Sequence, residues 1–144
     1  VAENPKTPPE ALVLMAKDRD EEIRAMVADN ESTPPETLAQ LAQDRNDDVR
    51  VAVASNTSTP PETLILMTKD RNEDSYTRAA VALNRSAPPE VLVKLAQDRD
   101  FVVRGRVGSN KSTPPEVLAQ LAKDKDKRVR DLVARNLKAG GNRT

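Results

Sequence analysis

The chain has no cysteine, no histidine and no tryptophan, and its 144 residues include one phenylalanine, one tyrosine and four glycines. Without cysteine there is no disulfide framework, no thiolate metal site and no sign of an oxidising compartment. Without histidine the commonest general base and metal ligand is missing. No apolar run approaches the roughly 20 residues of a membrane span and nothing resembles a signal peptide, so a cytoplasmic location without membrane contact is expected. Hydrophobic residues make up 37% of the chain, and with so few aromatics among them the core has to be built from Leu, Val, Met and Ala.

What is present is repetition. TPPE opens at Thr7, Thr33, Thr59 and Thr113, and a damaged copy, APPE, opens at Ala87. Leu follows at 12, 38, 64, 92 and 118, and Asn precedes at 4, 30, 56, 84 and 110, in steps of 26, 26, 28 and 26 residues. Such a period marks stacked units of one supersecondary motif. The whole chain, 1–144, is one repeat domain with units at about 4–29, 30–55, 56–83, 84–109 and 110–135. Residues 1–3 are expected to be the end of a preceding repeat, and 137–144 a flexible tail. Neither end looks like a polar cap, so the sequence predicts either a piece of a longer array or end faces covered by another copy.

The prolyl pair sets the first helix. Thr is a good N-cap, Pro is favoured at the first helical position, and Glu three residues after Thr completes a capping box. Ala87 lacks the hydroxyl, so the helix after it is expected to fray first. Leu12, Met15 and Ala16 give an i, i+3, i+4 stripe on a first helix about ten residues long. A shorter second helix, α or partly 3₁₀, follows the DRD or DRN turn, with Ile23 and Val27, Val49 and Val53, or Val103 and Val107 on one face. Neither helix hides its stripe alone, so the predicted fold is an all-α solenoid in two helical layers with no β-sheet.

The pattern VAxNxSTPPExLxxLAxDxDxxVRxxVAxN resembles the leucine-rich repeat variant family, and its DxDxxVR segment is similar to the second half of HEAT repeats. The resemblance implies a right-handed superhelix of α-helices alternating with short α or 3₁₀ helices. It also implies an iron–sulfur cluster held by N-terminal cysteines in the family prototype, which a chain without cysteine does not carry over. No cofactor is expected.

Repeated polar columns are assigned to the fold. Asp18, Asp44, Asp70, Asp98 and Asp124 form one, and Arg24, Arg50, Arg78, Arg104 and Arg130 another. They are expected to form ladders between repeats, with Asp20–Arg24, Asp100–Arg104 and Asp126–Arg130 as i, i+4 pairs. The Asn column is expected to end helices, as a residue tolerant of left-handed backbone. Asp44, Asn46 and Asp48, like Asp70, Asn72 and Asp74, imitate the start of a calcium loop, but the sixth and twelfth positions lack the required Gly and Glu. Turn and cap duty fits them better. Identical carboxylates one repeat apart stand ~10 Å from each other, too far for paired-carboxylate chemistry or one metal ion, so the chain is not expected to be an enzyme.

Function is sought in what does not repeat. The third unit carries two extra residues around Glu73 to Tyr76, which puts Thr77 in the column of Ile23 and Val49, and Tyr76 in that of Glu22, Asp48, Val102 and Arg128. Phe101 lies in the adjacent column. Tyr76, Phe101, Val102, Arg106 and Arg128 are therefore the candidate partner-binding residues, against the alternative that both aromatics fold back over a loop and a seam. Charge is also uneven: residues 1–80 carry 9 Lys/Arg and 16 Asp/Glu, residues 81–144 carry 14 and 7. That split suits steering of a protein partner, head-to-tail self-association, or phosphate binding by the basic half. A scaffold for protein–protein interaction is the first expectation, and nucleic-acid backbone binding the alternative.

Overall fold

A computed structural model describes residues 1–69 and 74–141. Among these the chain forms ten helices: α1 (Pro9–Met15), α2 (Glu21–Asp29), α3 (Pro35–Leu41), α4 (Asp47–Ser55), α5 (Pro61–Met67), α6 (Ser75–Leu83), α7 (Pro89–Leu95), α8 (Phe101–Ser109), α9 (Pro115–Leu121) and α10 (Lys127–Gly141). Each unit contributes an odd-numbered first helix and an even-numbered second helix. Unit packs on adjacent unit, and the array is an all-α solenoid with no strand among the described residues. None of these helices is long and apolar enough to cross a membrane.

The core is the stack of the two predicted stripes. Leu12, Leu38, Leu64 and Leu92 from the first helices, and Val27, Val53, Val81, Val107 and Val133 from the second, are wholly buried. Each such side chain contributes about 1.5–3 kcal/mol of burial, but only because the next unit closes over it. Thr77 does occupy the Ile23 and Val49 column and is fully buried. Its N–H and hydroxyl both donate to the Asp74 carboxylate, at 2.8 and 3.3 Å, so the polar atom is satisfied there.

The prolyl pair starts each first helix one residue later than expected. The first Pro of each pair is the extended N-cap and the second is N1, as at Pro34 (φ −58°, ψ 145°) and Pro35, and no side chain caps these N-termini. Thr33 does not form a capping box. Its Oγ1 donates 2.6 Å to the Val27 carbonyl at the end of the preceding helix, as Thr59 does to Val53 at 2.7 Å and Thr113 to Val107 at 2.6 Å. What Ala87 lacks is thus a tie between two helices rather than a cap. The side chains that do cap are Asp20, Asn46, Asp74, Asp100 and Asp126, each accepting from an N–H in the first turn of a second helix.

Three further expectations are corrected. The first helices are the shorter ones, 7 residues against 9 in α2, α4, α6 and α8, because the late start at the second Pro and an i→i+3 closing turn, such as Lys17 N–H to Leu14 O at 3.1 Å, trim both ends. The Asn column does end α2, α4, α6 and α8 as their C-caps, but without left-handed backbone: Asn30 sits at φ −77°, ψ 118°, and no described residue has positive φ. A Pro four residues beyond each Asn, as Pro34 is to Asn30, would clash with that Asn's carbonyl in a continuing helix and has no N–H to give it, so the chain turns out in extended form. At Asn136 the fourth residue on is Gly140, and α10 continues to Gly141 where a flexible tail was expected. Residues 142–144 of that tail, and Asp70, Asn72 and Glu73 of the insertion, lie outside the described residues.

Candidate functional site

Two polar ladders run along the seams. Each Asn amide bridges two carbonyls flanking the unit boundary before its own: Asn56 Nδ2 donates to Ala28 O at 2.7 Å and Asn30 O at 3.1 Å, and Asn84 to Ala54 O at 2.8 Å and Asn56 O at 3.0 Å. Asn30, Asn110 and Asn136 repeat the arrangement. In Asn30, Asn56, Asn84 and Asn110 the Oδ1 is used as well, as when Asn84 accepts the Ser86 N–H at 2.8 Å. The second ladder is ionic. Arg24 forks onto Asp44 of the next unit at 2.7 and 3.0 Å, Arg78 onto Asp98 at 2.8 and 3.2 Å, and Arg104 onto Asp124 at 2.8 and 3.1 Å. The carboxylate that Arg24, Arg78 or Arg104 grips is that of the following repeat, while Arg50 also pairs with Asp47 of its own helix; Asp20, Asp100 and Asp126, expected as i, i+4 partners, cap their helices.

Burial pushes the Asp44 carboxyl up, but hydrogen bonds from Arg24 and the Asn46 N–H, with the charges of Arg24 and Arg45, carry it below the ordinary value. Asp124 is lowered in the same way against Arg104. A cleft of about 390 Å³ opens beside this second pair, between Gln97, Arg99, Gln120 and Lys125. Its acidic floor, Asp98 and Asp124, is already engaged by Arg78 and Arg104 in the ladder, and Arg99 and Lys125 add positive charge to its wall. In the calcium-like run, Asp44 is bound by Arg24 and Asn46 accepts the Asp48 and Val49 N–H groups, which is turn and cap work.

The candidate binding residues lie at one end of the second helices, and burial separates them. Tyr76, second residue of α6, is 79% exposed; Val102, second residue of α8, is 40% exposed, and Arg106 one turn later is exposed too. Phe101 leads α8 half-buried against the core, with the Arg128 guanidinium 3.5 Å above its ring centroid. Arg128 also donates to both Asp126 oxygens at 3.0 and 2.7 Å, which with the Arg128 N–H holds the Asp126 carboxyl down at about 2. Phe101 is therefore covered, Arg128 is its lid, and Tyr76 is the open aromatic. Leu83, the last residue of α6 and 45% exposed, shares the face of Tyr76 one helix length away. Its signal was present in the sequence, since Asp29, Ser55, Ser109 and Arg135 hold that column elsewhere.

The leucine-rich repeat variant family model matches residues 21–46 and 77–100. A solved structure described as a leucine-rich repeat variant with a novel repetitive structural motif aligns with 92% of this chain at 32% identity and a TM-score of 0.68. The repeats are leucine-rich repeat variant units. The chain spans about half, 52%, of that solved protein's length. Among curated proteins, none matches. In this leucine-rich repeat variant array the recurring Asn, Thr and Arg side chains serve seams, and Asp or Asn side chains cap the second helices, whereas the Glu after each prolyl pair is exposed.

Proposed function

We propose that this array is a non-catalytic scaffold that binds another protein, with Tyr76, Val102, Arg106 and Arg128 in the contact surface and Phe101 supporting Arg128 from beneath. The observation that carries the reading is Tyr76 standing 79% exposed on a helix face where the other units place Glu, Asp, Val and Arg. A large amphipathic side chain held on a rigid helix supplies contact area at small entropic cost, and Tyr and Arg are enriched where interfaces concentrate their binding energy. The repeat ladders support it indirectly, because Arg24, Arg78 and Arg104 with Asp44, Asp98 and Asp124 are engaged in holding units together. Glu22 and Asp48 share the same helix face, which speaks against a nucleic-acid backbone as the ligand.

The test is affinity capture with the tagged chain from cells that express it, repeated with Tyr76→Ala plus Arg106→Ala. Proteins retained by the wild type and lost from the variant are the expected result. Equal retention by both would reject the patch, and salt-sensitive retention of random-sequence DNA indifferent to Tyr76 would replace the reading.

A further inference from the structure

The unburied face of the second helices carries a charge gradient along the array. In each of these helices the first, second, fifth, sixth and ninth residues share that face, at the i, i+1, i+4, i+5 and i+8 spacing of one helix side. The net charge of these five positions, from α2 to α10, is −3, −2, 0, +1 and +2. The acidic end is Glu21, Glu22 and Asp29 on α2 with Asp47 and Asp48 on α4; the centre is uncharged and holds Tyr76 and Leu83; the basic end is Arg106, then Lys127, Arg128 and Arg135 against Asp131. Several of these groups have an intrachain partner, yet Asp47, Lys127 and Arg128 keep 69%, 76% and 66% of their side chains exposed. The rest of the surface shows no such order. The stretches 4–17, 30–43, 56–69, 84–97 and 110–123, which hold the first helices, net +1, −2, 0, +1 and +1. That face carries −5 of the net −7 of residues 1–80 and +3 of the net +7 of residues 81–144.

Packing gives that face its shape. The second helices touch one another directly along the whole array, while no two first helices come as close. A stack spaced more tightly on one side bends toward that side, so the second-helix face is the inner one, as in other solenoids whose curvature makes an extended binding surface. Ala28, Ala54, Ala82 and Gly108 in the seams allow the approach.

Building on the protein-binding reading, we infer that this trough takes a single elongated protein segment with a basic end over α2 and α4, an apolar middle over Tyr76 and Leu83, and an acidic end over α8 and α10. Five helices at ~8–10 Å spacing give a track of about 35 Å, the length of about 24 residues of α-helix. Opposed fields at the two ends fix which end lies where, and act on association rate and specificity more than on raw affinity. A second copy carries the complementary charges, but two inner faces curve away from each other and make poor contact.

The experiment uses two synthetic helical peptides of 24 residues, one with lysines in the first third, Leu and Ala in the middle and glutamates in the last third, the other of the same composition with lysines and glutamates interleaved. Fluorescence anisotropy at low ionic strength is expected to show the bipolar peptide binding at least tenfold more tightly. Glu22→Lys with Asp48→Lys is expected to weaken the bipolar peptide about tenfold and leave the interleaved one unchanged, the difference shrinking as salt is added. Equal affinities for the two peptides overturn the inference, as does a concentration-dependent dimer in sedimentation that the same two substitutions dissolve, or tighter binding of random duplex DNA than of the bipolar peptide. If capture of partners still depends on Tyr76 and Arg106 while the peptides bind equally, the protein-binding reading stands and the polarity inference falls; if neither effect is seen, both fall.

Discussion

Removing one rung of the asparagine ladder in mid-array should cost more than any surface change. Asn84 is 4% exposed and makes three hydrogen bonds, to Ala54 O and Asn56 O through Nδ2 and from the Ser86 N–H through Oδ1. In Asn84→Ala all three are lost at about 1 kcal/mol net each, and a desolvated carbonyl left at Ala54 adds a further penalty of about 1–2 kcal/mol. Asn56 O is spared, because it also accepts the Thr59 N–H at 3.1 Å. The expected loss is about 3–5 kcal/mol, a large part of the roughly 5–15 kcal/mol that holds an ordinary domain together. Position matters as well, since a solenoid is stabilised through nearest-neighbour interfaces. Asn136→Ala, at the half-buried last rung, should cost distinctly less. Asn84→Asp keeps the shape but turns oxygens toward two carbonyl oxygens, and should be at least as damaging as Ala at neutral pH. Urea unfolding followed by far-UV circular dichroism reads all three. A loss below about 1 kcal/mol for Asn84→Ala, or an equal loss for Asn136→Ala, would refute the reasoning.

Ala87→Thr should stabilise the array by about 1 kcal/mol, by restoring the hydroxyl donor that ties Thr33, Thr59 and Thr113 to the helix before them; an unchanged or lowered urea midpoint contradicts this. Asp44 and Asp124 have lowered folded values, so the stability their arginine pairs add is fully present above the ordinary carboxylate value of 3.8 and is lost as pH falls through the lowered ones. Asp44→Asn with Asp124→Asn should therefore flatten the acid limb of a melting curve series between pH 4 and 2, and parallel curves would count against the ladder. At Gly108 an added Cβ would lie 2.8 Å from Val133 Cγ2, a wholly buried side chain, whereas at Gly105 it would meet the end of half-buried Leu132 at 2.9 Å. Gly108→Ala should lose about 1 kcal/mol despite its better helix propensity, while Gly105→Ala should be neutral or stabilising; the reverse order in urea would show the close seam to be elsewhere.

The unit, its two helices, the Leu and Val stripes and the shift that places Thr77 in the core were all legible, because each depends on local spacing. What sequence spacing could not show was which distant atom a side chain meets. A Thr before two prolines suits an N-cap equally well until Val27 O is seen within reach of its hydroxyl. Asn at a helix end suggests left-handed backbone unless the carbonyls 26 and 28 residues earlier are in view. Phe101 and Tyr76 sit in adjacent columns, and one step of helix rotation buries the first while exposing the second. The face gradient was hidden in a whole-chain charge split, since the positions that carry it are adjacent only once the second helices are stacked.

The division of labour between columns and exceptions is tested most directly by urea unfolding of a combined variant, Glu22→Ala, Asp48→Ala, Tyr76→Ala and Arg106→Ala. These exposed, well-separated positions have no seam to hold, so each should change stability by no more than about 0.5 kcal/mol and the combined variant should unfold near the wild-type midpoint. A loss as large as that of a mid-array asparagine would mean that the face is holding the fold together, and the account of it as a surface set aside for a partner would be wrong.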